Sequence, residues 1–342
     1  MIYDTIINVF QPFLLLIIIT GVSLGIIWGA LPGLSTTMAM ALLIGFTSTM
    51  SQDVAICFML GGYTGSVFGG AISAILINIP GTPDAVPTMI EGHALAKKGE
   101  AGTALGTSIF GSFVGNWVGI LLLIFLMPFL IAVALNFKSW EMFLLSIIGI
   151  SVCGTMCSGE LPIKGWIVGF IGILIAMVGI DPIYGVERYT FDNPNLYDGF
   201  SYIPILIGLF GICEIIKTLP NENKTPIPKT IGKLFLPFSI LKKYVFTAFR
   251  SGLIGTFIGA LPGAGANVAS FLSYDIGKKQ ASKEEKEKWG KGSYEAIVCA
   301  EVANNANIGG SMLPTLALGI PGNAAAAALL AALTMKNVVV GP

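Results

Sequence analysis

The chain has 342 residues, 54% hydrophobic and only 11% charged, with 19 basic and 19 acidic side chains that cancel. Soluble domains carry about 25% charged residues, so the composition excludes an ordinary soluble globule and points to a protein of the membrane. The neutral balance leaves no basic footprint for nucleic acid, one histidine excludes a histidine-rich metal site, and the five scattered cysteines (Cys57, Cys153, Cys157, Cys213, Cys299) read as small apolar residues.

The N-terminus has no basic segment and no small-residue cleavage site, so the first apolar run, residues 11–31, is expected to stay as a span. It stops at Gly29-Ala30-Leu31-Pro32-Gly33-Leu34-Ser35-Thr36-Thr37, and residues 36–50 read as a shorter helix. Residues 54–79 are dense in small residues (Gly61, Gly62, Gly65, Ser66, Gly69, Gly70, Ser73), the pattern of a helix that packs closely on another. That run ends at a second break, Asn78-Ile79-Pro80-Gly81-Thr82-Pro83-Asp84, and a polar segment with Glu91, His93, Lys97, Lys98 and Glu100 follows. Residues 101–135 form a long span with a bend expected near Pro128. Residues 140–156, 163–180 and 201–219 read as further spans, and 181–200 as a polar loop. A lysine-bearing linker, 220–243, divides the halves.

The second half repeats the first. Residues 244–261 lead to Gly259-Ala260-Leu261-Pro262-Gly263-Ala264-Gly265-Ala266-Asn267, a short helix follows, and then comes a charged loop, 278–291, with six lysines. Residues 294–320 are rich in small and polar side chains and end at Gly319-Ile320-Pro321-Gly322-Asn323, with a small-residue helix at 324–335. Gly29–Gly33 matches Gly259–Gly263, Gly69-Gly70 matches Gly309-Gly310, and Ile79-Pro80-Gly81 matches Ile320-Pro321-Gly322, at offsets of about 230 to 241 residues. Lysine marks the cytoplasmic side. The turn at 51–53 has none and the turn at 278–291 has six, so the two hairpins are expected to enter from opposite faces. Lys138 and Arg188 are the exceptions to the count. The expected fold is an all-α integral membrane protein of inverted repeats. Residues 1–219 form the first repeat with scaffold spans, 220–243 a cytoplasmic linker, and 244–342 a second, incomplete repeat whose hairpin tip meets the first near the midplane.

Broken helices in a membrane persist where protein or a water-filled cavity receives the freed backbone groups. A helix N-terminus at such a break is an anion site. The expected substrate contacts at the tips are Pro32, Gly33, Ser35, Thr36 and Thr37 in one half and Gly263, Gly265 and Asn267 in the other. Asn78, Gly81, Thr82, Asn304, Asn305, Gly322 and Asn323, at the other two breaks, complete the set. Carbonyls around Pro32 and Pro262, at Gly29, Leu31, Gly259 and Leu261, are candidates to hold Na⁺ or pass protons, with Glu301 and Asn307 beside them. Each of these polar residues taken alone reads equally well as a helix cap or as interhelical glue. Asp53, Asp84, Glu214 and Asp275 read as solvated or capping residues at span ends. Gly263-Ala264-Gly265 lacks the preceding strand of a dinucleotide fingerprint, and Ser66 with His93 lacks the orienting partner of a hydrolase, so no enzyme is expected.

Taken together, Gly-Ala-Leu-Pro-Gly-Leu-Ser-Thr-Thr from Gly29, Asn-Ile-Pro-Gly-Thr-Pro from Asn78, Gly-Ala-Leu-Pro-Gly-Ala-Gly-Ala from Gly259, Glu-Val-Ala-Asn-Asn-Ala from Glu301 and Leu-Gly-Ile-Pro-Gly-Asn from Leu318 resemble the large membrane subunit (TctA) of the tripartite tricarboxylate transporters. The resemblance runs nearly the whole length. It implies a multi-pass subunit of the bacterial inner membrane that imports citrate-like di- and tricarboxylates. It implies no cofactor beyond a coupling ion, Na⁺ or H⁺. It also implies two partners, a small TctB-like membrane subunit and a periplasmic TctC-like solute-binding protein. Members of that family continue for several spans past the last break, so the chain is expected to be a truncated form or fragment. A carboxylate channel or facilitator, which would need neither a coupling ion nor a binding protein, is the alternative.

Overall fold

The computed structural model describes residues 8–32, 34–136, 162–181, 185–200 and 242–341, with isolated residues between 138 and 147 and between 205 and 234. Most of the expected spans at 140–156 and 201–219 and of the linker, together with Gly33, lie outside the described residues. The first half holds α1 (Pro12–Ala30), α2 (Thr36–Thr47), α3 (Gln52–Ile77), a 3-10 turn (Pro83–Ala85), α4 (Val86–Lys97), α5 (Ala101–Ala134) and α6 (Pro162–Ala176). The second half holds α7 (Val245–Ala260), α8 (Gly265–Gln280), α9 (Lys283–Lys286), α10 (Tyr294–Leu318) and α11 (Ala324–Met335). Within the loop after α6, β1 (Gly179–Ile180) pairs antiparallel with β2 (Glu187–Arg188), closed by an ion pair between Arg188 and Asp181.

Proline sets the helix ends. A residue before proline is pushed out of the helical region, and Leu31 and Leu261 are both extended, at φ −79°, ψ 116° and φ −87°, ψ 110°. The Leu31 N–H turns back to the Trp28 carbonyl (3.2 Å), as the Leu261 N–H does to Ile258 (3.1 Å). At the other breaks α3 ends on left-handed Asn78 (φ 56°) and α10 on left-handed Gly319 (φ 68°), each followed by Ile-Pro-Gly.

Among the described helices, α1, α3 and the first 32 residues of α5 are long and apolar enough to cross a membrane. α10 is equally long but too polar for that pattern, and it is the innermost helix: every residue from 296 to 315 is buried. α1 packs on α3, while α5 and α7 pack on α10. Contact is close because glycines face backbone. A methyl group on Gly29 would overlap the Ser66 carbonyl, and one on Gly259 would lie against the Asn307 carbonyl. This is small-residue packing of helices, which gains van der Waals contact where lipid supplies no hydrophobic drive.

The contacts recur between halves with a shift from the sequence match. Gly69 lies against the Ile26 carbonyl and Gly310 against the Thr256 carbonyl, so Gly69 corresponds to Gly310 and Gly70 to Ser311, one residue later than the glycine pairs alone suggest. A second difference concerns the polar segment after the first long break. Residues 86–97 form helix α4 on Pro87 in its first turn, and its Glu91 is fully buried.

The halves interlock. α11 packs on α2 and α3, and α8 packs on the 3-10 turn and α4. Each helix that follows a break thus lies against the hairpin of the other half. One apolar cluster joins Met40, Leu43, Ile44, Phe58, Met59 and Tyr63 to Ile308, Met312, Leu329 and Leu333.

Candidate functional site

Both hairpin tips open on one cavity of about 500 Å³, within the size range of small-molecule sites. Ser35, Thr36 and Thr37 line it from the first tip, and Pro262, Gly263, Ala264, Gly265, Ala266 and Asn267 from the second. Pro83 and Asp84 enter from the break after α3, and Asn323 from the break after α10. Tyr63 and Val67 of α3 form part of the wall. Among the described residues, no Lys or Arg lines it.

The tips are built alike. Ser35 caps α2 by accepting the Met38 N–H on its Oγ (3.2 Å). A helix leaves its first N–H groups without intrahelical partners, so those of Thr36 and Thr37 remain for a ligand. The Thr36 hydroxyl is buried without a hydrogen-bond partner. On the other tip, Gly263 (φ 83°) and Gly265 (φ 72°) adopt left-handed backbone that other residues resist. The Gly263 N–H donates to the Gly322 carbonyl (2.9 Å), tying that tip to the break after α10. Leu34 and Ala264 close matching turns onto the Leu31 and Leu261 carbonyls (3.1 and 3.2 Å).

Polar side chains cross between the halves. Tyr63 and Asn304 stand equally far before the left-handed residues that end α3 and α10. Tyr63 donates to Asn323 Oδ1 (3.0 Å), on the second half's break. Asn304 donates to Asp84 Oδ2 (3.3 Å), on the first half's break. Asn323 also caps α11 by accepting the Ala326 N–H (2.8 Å) and donates to Asn307 Oδ1 (3.1 Å). Ser270 of α8 donates to the Asp84 carbonyl (2.8 Å).

The sequence-derived set therefore divides. Ser35, Thr36, Thr37, Gly263, Gly265, Asn267 and Asn323 line the cavity. Asn304 reaches it through Asp84, and Asn307 supports Asn323. Asn305 lies behind, bonded to Ser112 Oγ (2.9 Å) and Asn304 Oδ1 (2.8 Å), with Asn116 donating to its Oδ1 (3.1 Å). Glu301 is fully buried and receives hydroxyls from Thr88 and Ser112. Pro32 and Asn78 are exposed and away from the cavity. Gly81 and Gly322 serve close packing, against Gly70 and Ser311 respectively, and Thr82 is buried beside Gly70. Gly29 and Gly259 face helix backbone, and Leu31 and Leu261 expose their side chains. No cluster of three metal-ligating side chains exists among the described residues.

Asp84 is the correction. It is not a solvated span-end residue but is 4% exposed and part of the cavity wall. The available signal was an ionisable residue following a Pro-Gly-Thr-Pro break between apolar runs, where the membrane makes charge costly. Tyr63 was missed as well; the repeat, matched one residue later, pairs it with Asn304.

The family described as "Tripartite tricarboxylate transporter TctA family" matches residues 15–342. An Agrobacterium vitis protein described as an uncharacterized 52.8 kDa protein in the TAR-I ttuC' 3' region is 36% identical over 324 residues, covering 94% of this chain and 64% of that protein. The chain thus spans just under two thirds of that relative's length. A second A. vitis protein, described as lying in the TAR-II ttuC' 3' region, is 39% identical over 88 residues, 26% of this chain and 36% of its own. No solved structure matches. Over almost its whole length, the chain belongs to the tripartite tricarboxylate transporter TctA family.

Proposed function

We propose that the chain is the membrane-embedded translocating part of a secondary transporter that imports citrate-like di- and tricarboxylates across a bacterial inner membrane. A cation gradient drives it, Na⁺ or H⁺. A periplasmic solute-binding protein delivers the substrate, and a small membrane subunit accompanies it. The observation that carries this reading is that two broken-helix tips, one from each half, share a single cavity. Helix N-termini, hydroxyls and an amide hold a carboxylate without the buried cation that lipid would penalise. The lysine asymmetry of the two hairpin turns supports inverted repeats, 1–219 and 244–342 about the linker 220–243, with the cavity at their meeting point. The interlocked hairpins support movement of this core as one rigid body against the remaining spans, carrying the substrate from one side to the other. Crosslinks that pin the core to those spans without loss of transport would rule that motion out.

The test is uptake of labelled citrate and related carboxylates into proteoliposomes that hold the full-length protein with its small subunit. The binding protein is added outside and the Na⁺ or H⁺ gradient imposed or omitted. Uptake that needs both gradient and binding protein is the expected result. Uptake that follows the substrate gradient alone, with the binding protein irrelevant, would make the protein a facilitator.

A further inference from the structure

Two buried carboxylates stand on either side of one pair of asparagines. Asp84 faces the cavity and accepts from Asn304 Nδ2. The next amide, Asn305 Nδ2, lies near Asn304 Oδ1 (2.8 Å), Ser112 Oγ (2.9 Å) and the Glu301 carbonyl (3.0 Å). Ser112 in turn reaches Glu301 Oε2 (3.3 Å), whose other oxygen meets Thr88. One run of polar atoms thus leads from the cavity to Glu301.

Among the described residues, the surroundings supply no counter-charge, and neither carboxylate pairs with Lys, Arg or His. On α3 the group facing the cavity is Tyr63, which donates to Asn323. On α4, Glu91 is held by Tyr274 of α8 and by loop N–H groups, His93 meets the Ile75 carbonyl, and Lys97 is exposed. On α7, Arg250 is directed to Gln280 and Cys299. On α8, Asp275 pairs with Lys279 and Lys278 is exposed. On α10, Tyr294 donates to Glu100 and Glu295 accepts from Thr247. Helices α5 and α11 carry no titratable residue.

Two carboxylates without cations in a low-dielectric interior are driven toward sharing a proton. An anion in the cavity adds negative charge beside Asp84 and strengthens that demand. Na⁺ is poorly served at Glu301. Bound Na⁺ in broken-helix transporters uses carbonyls of unwound backbone, whereas Glu301 lies inside the continuous helix α10. We propose that Asp84 and Glu301 act as one coupled acid pair that takes up a proton together with the carboxylate substrate, so that a proton enters with each substrate. This rests on the transport reading above.

The test traps a pH dye inside proteoliposomes containing the full-length protein and its small subunit, with binding protein and citrate outside at about pH 8, where carboxylic acids are fully ionised. Without Na⁺, citrate entry is expected to acidify the lumen in proportion to labelled uptake. The proton-to-citrate ratio is expected to fall by about one in Glu301→Gln and in Asp84→Asn, each checked for an unchanged gel-filtration profile. Wild-type uptake that follows a Na⁺ gradient without lumen acidification would overturn the proton pair and leave the transport reading standing. So would a wild-type ratio in Glu301→Gln. No citrate entry under any gradient would overturn the transport reading and the pair with it.

Discussion

Replacing Glu91 by alanine should loosen the joint that holds the two halves together. The carboxylate is fully buried on α4, in the first half, and all its described partners come from the second. It accepts from Tyr274 Oη (2.7 Å) and from the N–H groups of Gly290 (2.6 Å), Gly292 (3.0 Å) and Ser293 (2.9 Å). Alanine removes all four bonds. Gly290 is exposed and recovers a water, but Gly292 and Ser293 are buried and keep unsatisfied donors, at about 1–3 kcal/mol each. Relief of the buried charge offsets part of this, leaving a net loss of about 1–4 kcal/mol. Thermal unfolding of the purified full-length protein in detergent should show this as a fall of about 2–8 °C in Tm. Glu91→Gln should fall less, since it keeps one acceptor oxygen but turns an amide nitrogen toward the donors. Shifts under about 2 °C in both variants would refute the argument that this carboxylate clamps the halves.

Other outcomes follow from the same geometry. Thr36→Val removes a buried hydroxyl that has no protein partner, so it should leave Tm within about 1 °C while weakening carboxylate binding about tenfold, the worth of one hydrogen bond; thermal unfolding reads the first and calorimetric titration the second. Asn323→Ala loses the cap of α11 and leaves the Tyr63 hydroxyl only its longer contact to Ser311 Oγ (3.4 Å), and should cost about 1–3 kcal/mol, read by thermal unfolding, with Asn323→Asp recovering part of it. Gly29→Ala and Gly259→Ala each push a methyl into facing backbone and should abolish uptake while the protein still reaches the membrane, as judged by blotting of membrane fractions. Outside the spans, burial pushes the Glu285 carboxyl up, but Lys243 and Lys288 reverse this and hold it below its usual 4.5. A depressed carboxylate gives stability that is present above about pH 4.5 and lost as pH falls through the lower folded value. Glu285→Gln should therefore flatten the acid limb of a Tm-against-pH profile.

The four breaks were readable because proline and glycine act locally: Leu31 and Leu261 leave the helix for the same steric reason, whatever surrounds them. Close packing was readable too, since runs such as Gly61, Gly65 and Gly69 on one face have few uses besides approach of backbone. Half of the site followed from this, because tip residues such as Thr37 and Asn267 are placed by the breaks themselves. The other half depends on how the halves interlock. Nothing local distinguishes Tyr63 from a core aromatic until Asn323 is seen across from it. Asp84 looks like a residue at a span end until α8 and α10 close over it. Helix α4 was hidden by its polar side chains, among them Glu91, which is buried only because a loop of the other half wraps it.

Both hairpin tips line one cavity, which the proposed function makes a carboxylate site. Single cysteines at Thr37 and at Asn267, in the full-length protein with its native cysteines removed, test this by their rate of labelling with a small thiol reagent. Citrate-like carboxylates should slow labelling at both positions over the same concentration range, and an uncharged sugar should slow neither. Protection at one position only, or at neither in a variant that still takes up citrate, would contradict the shared cavity.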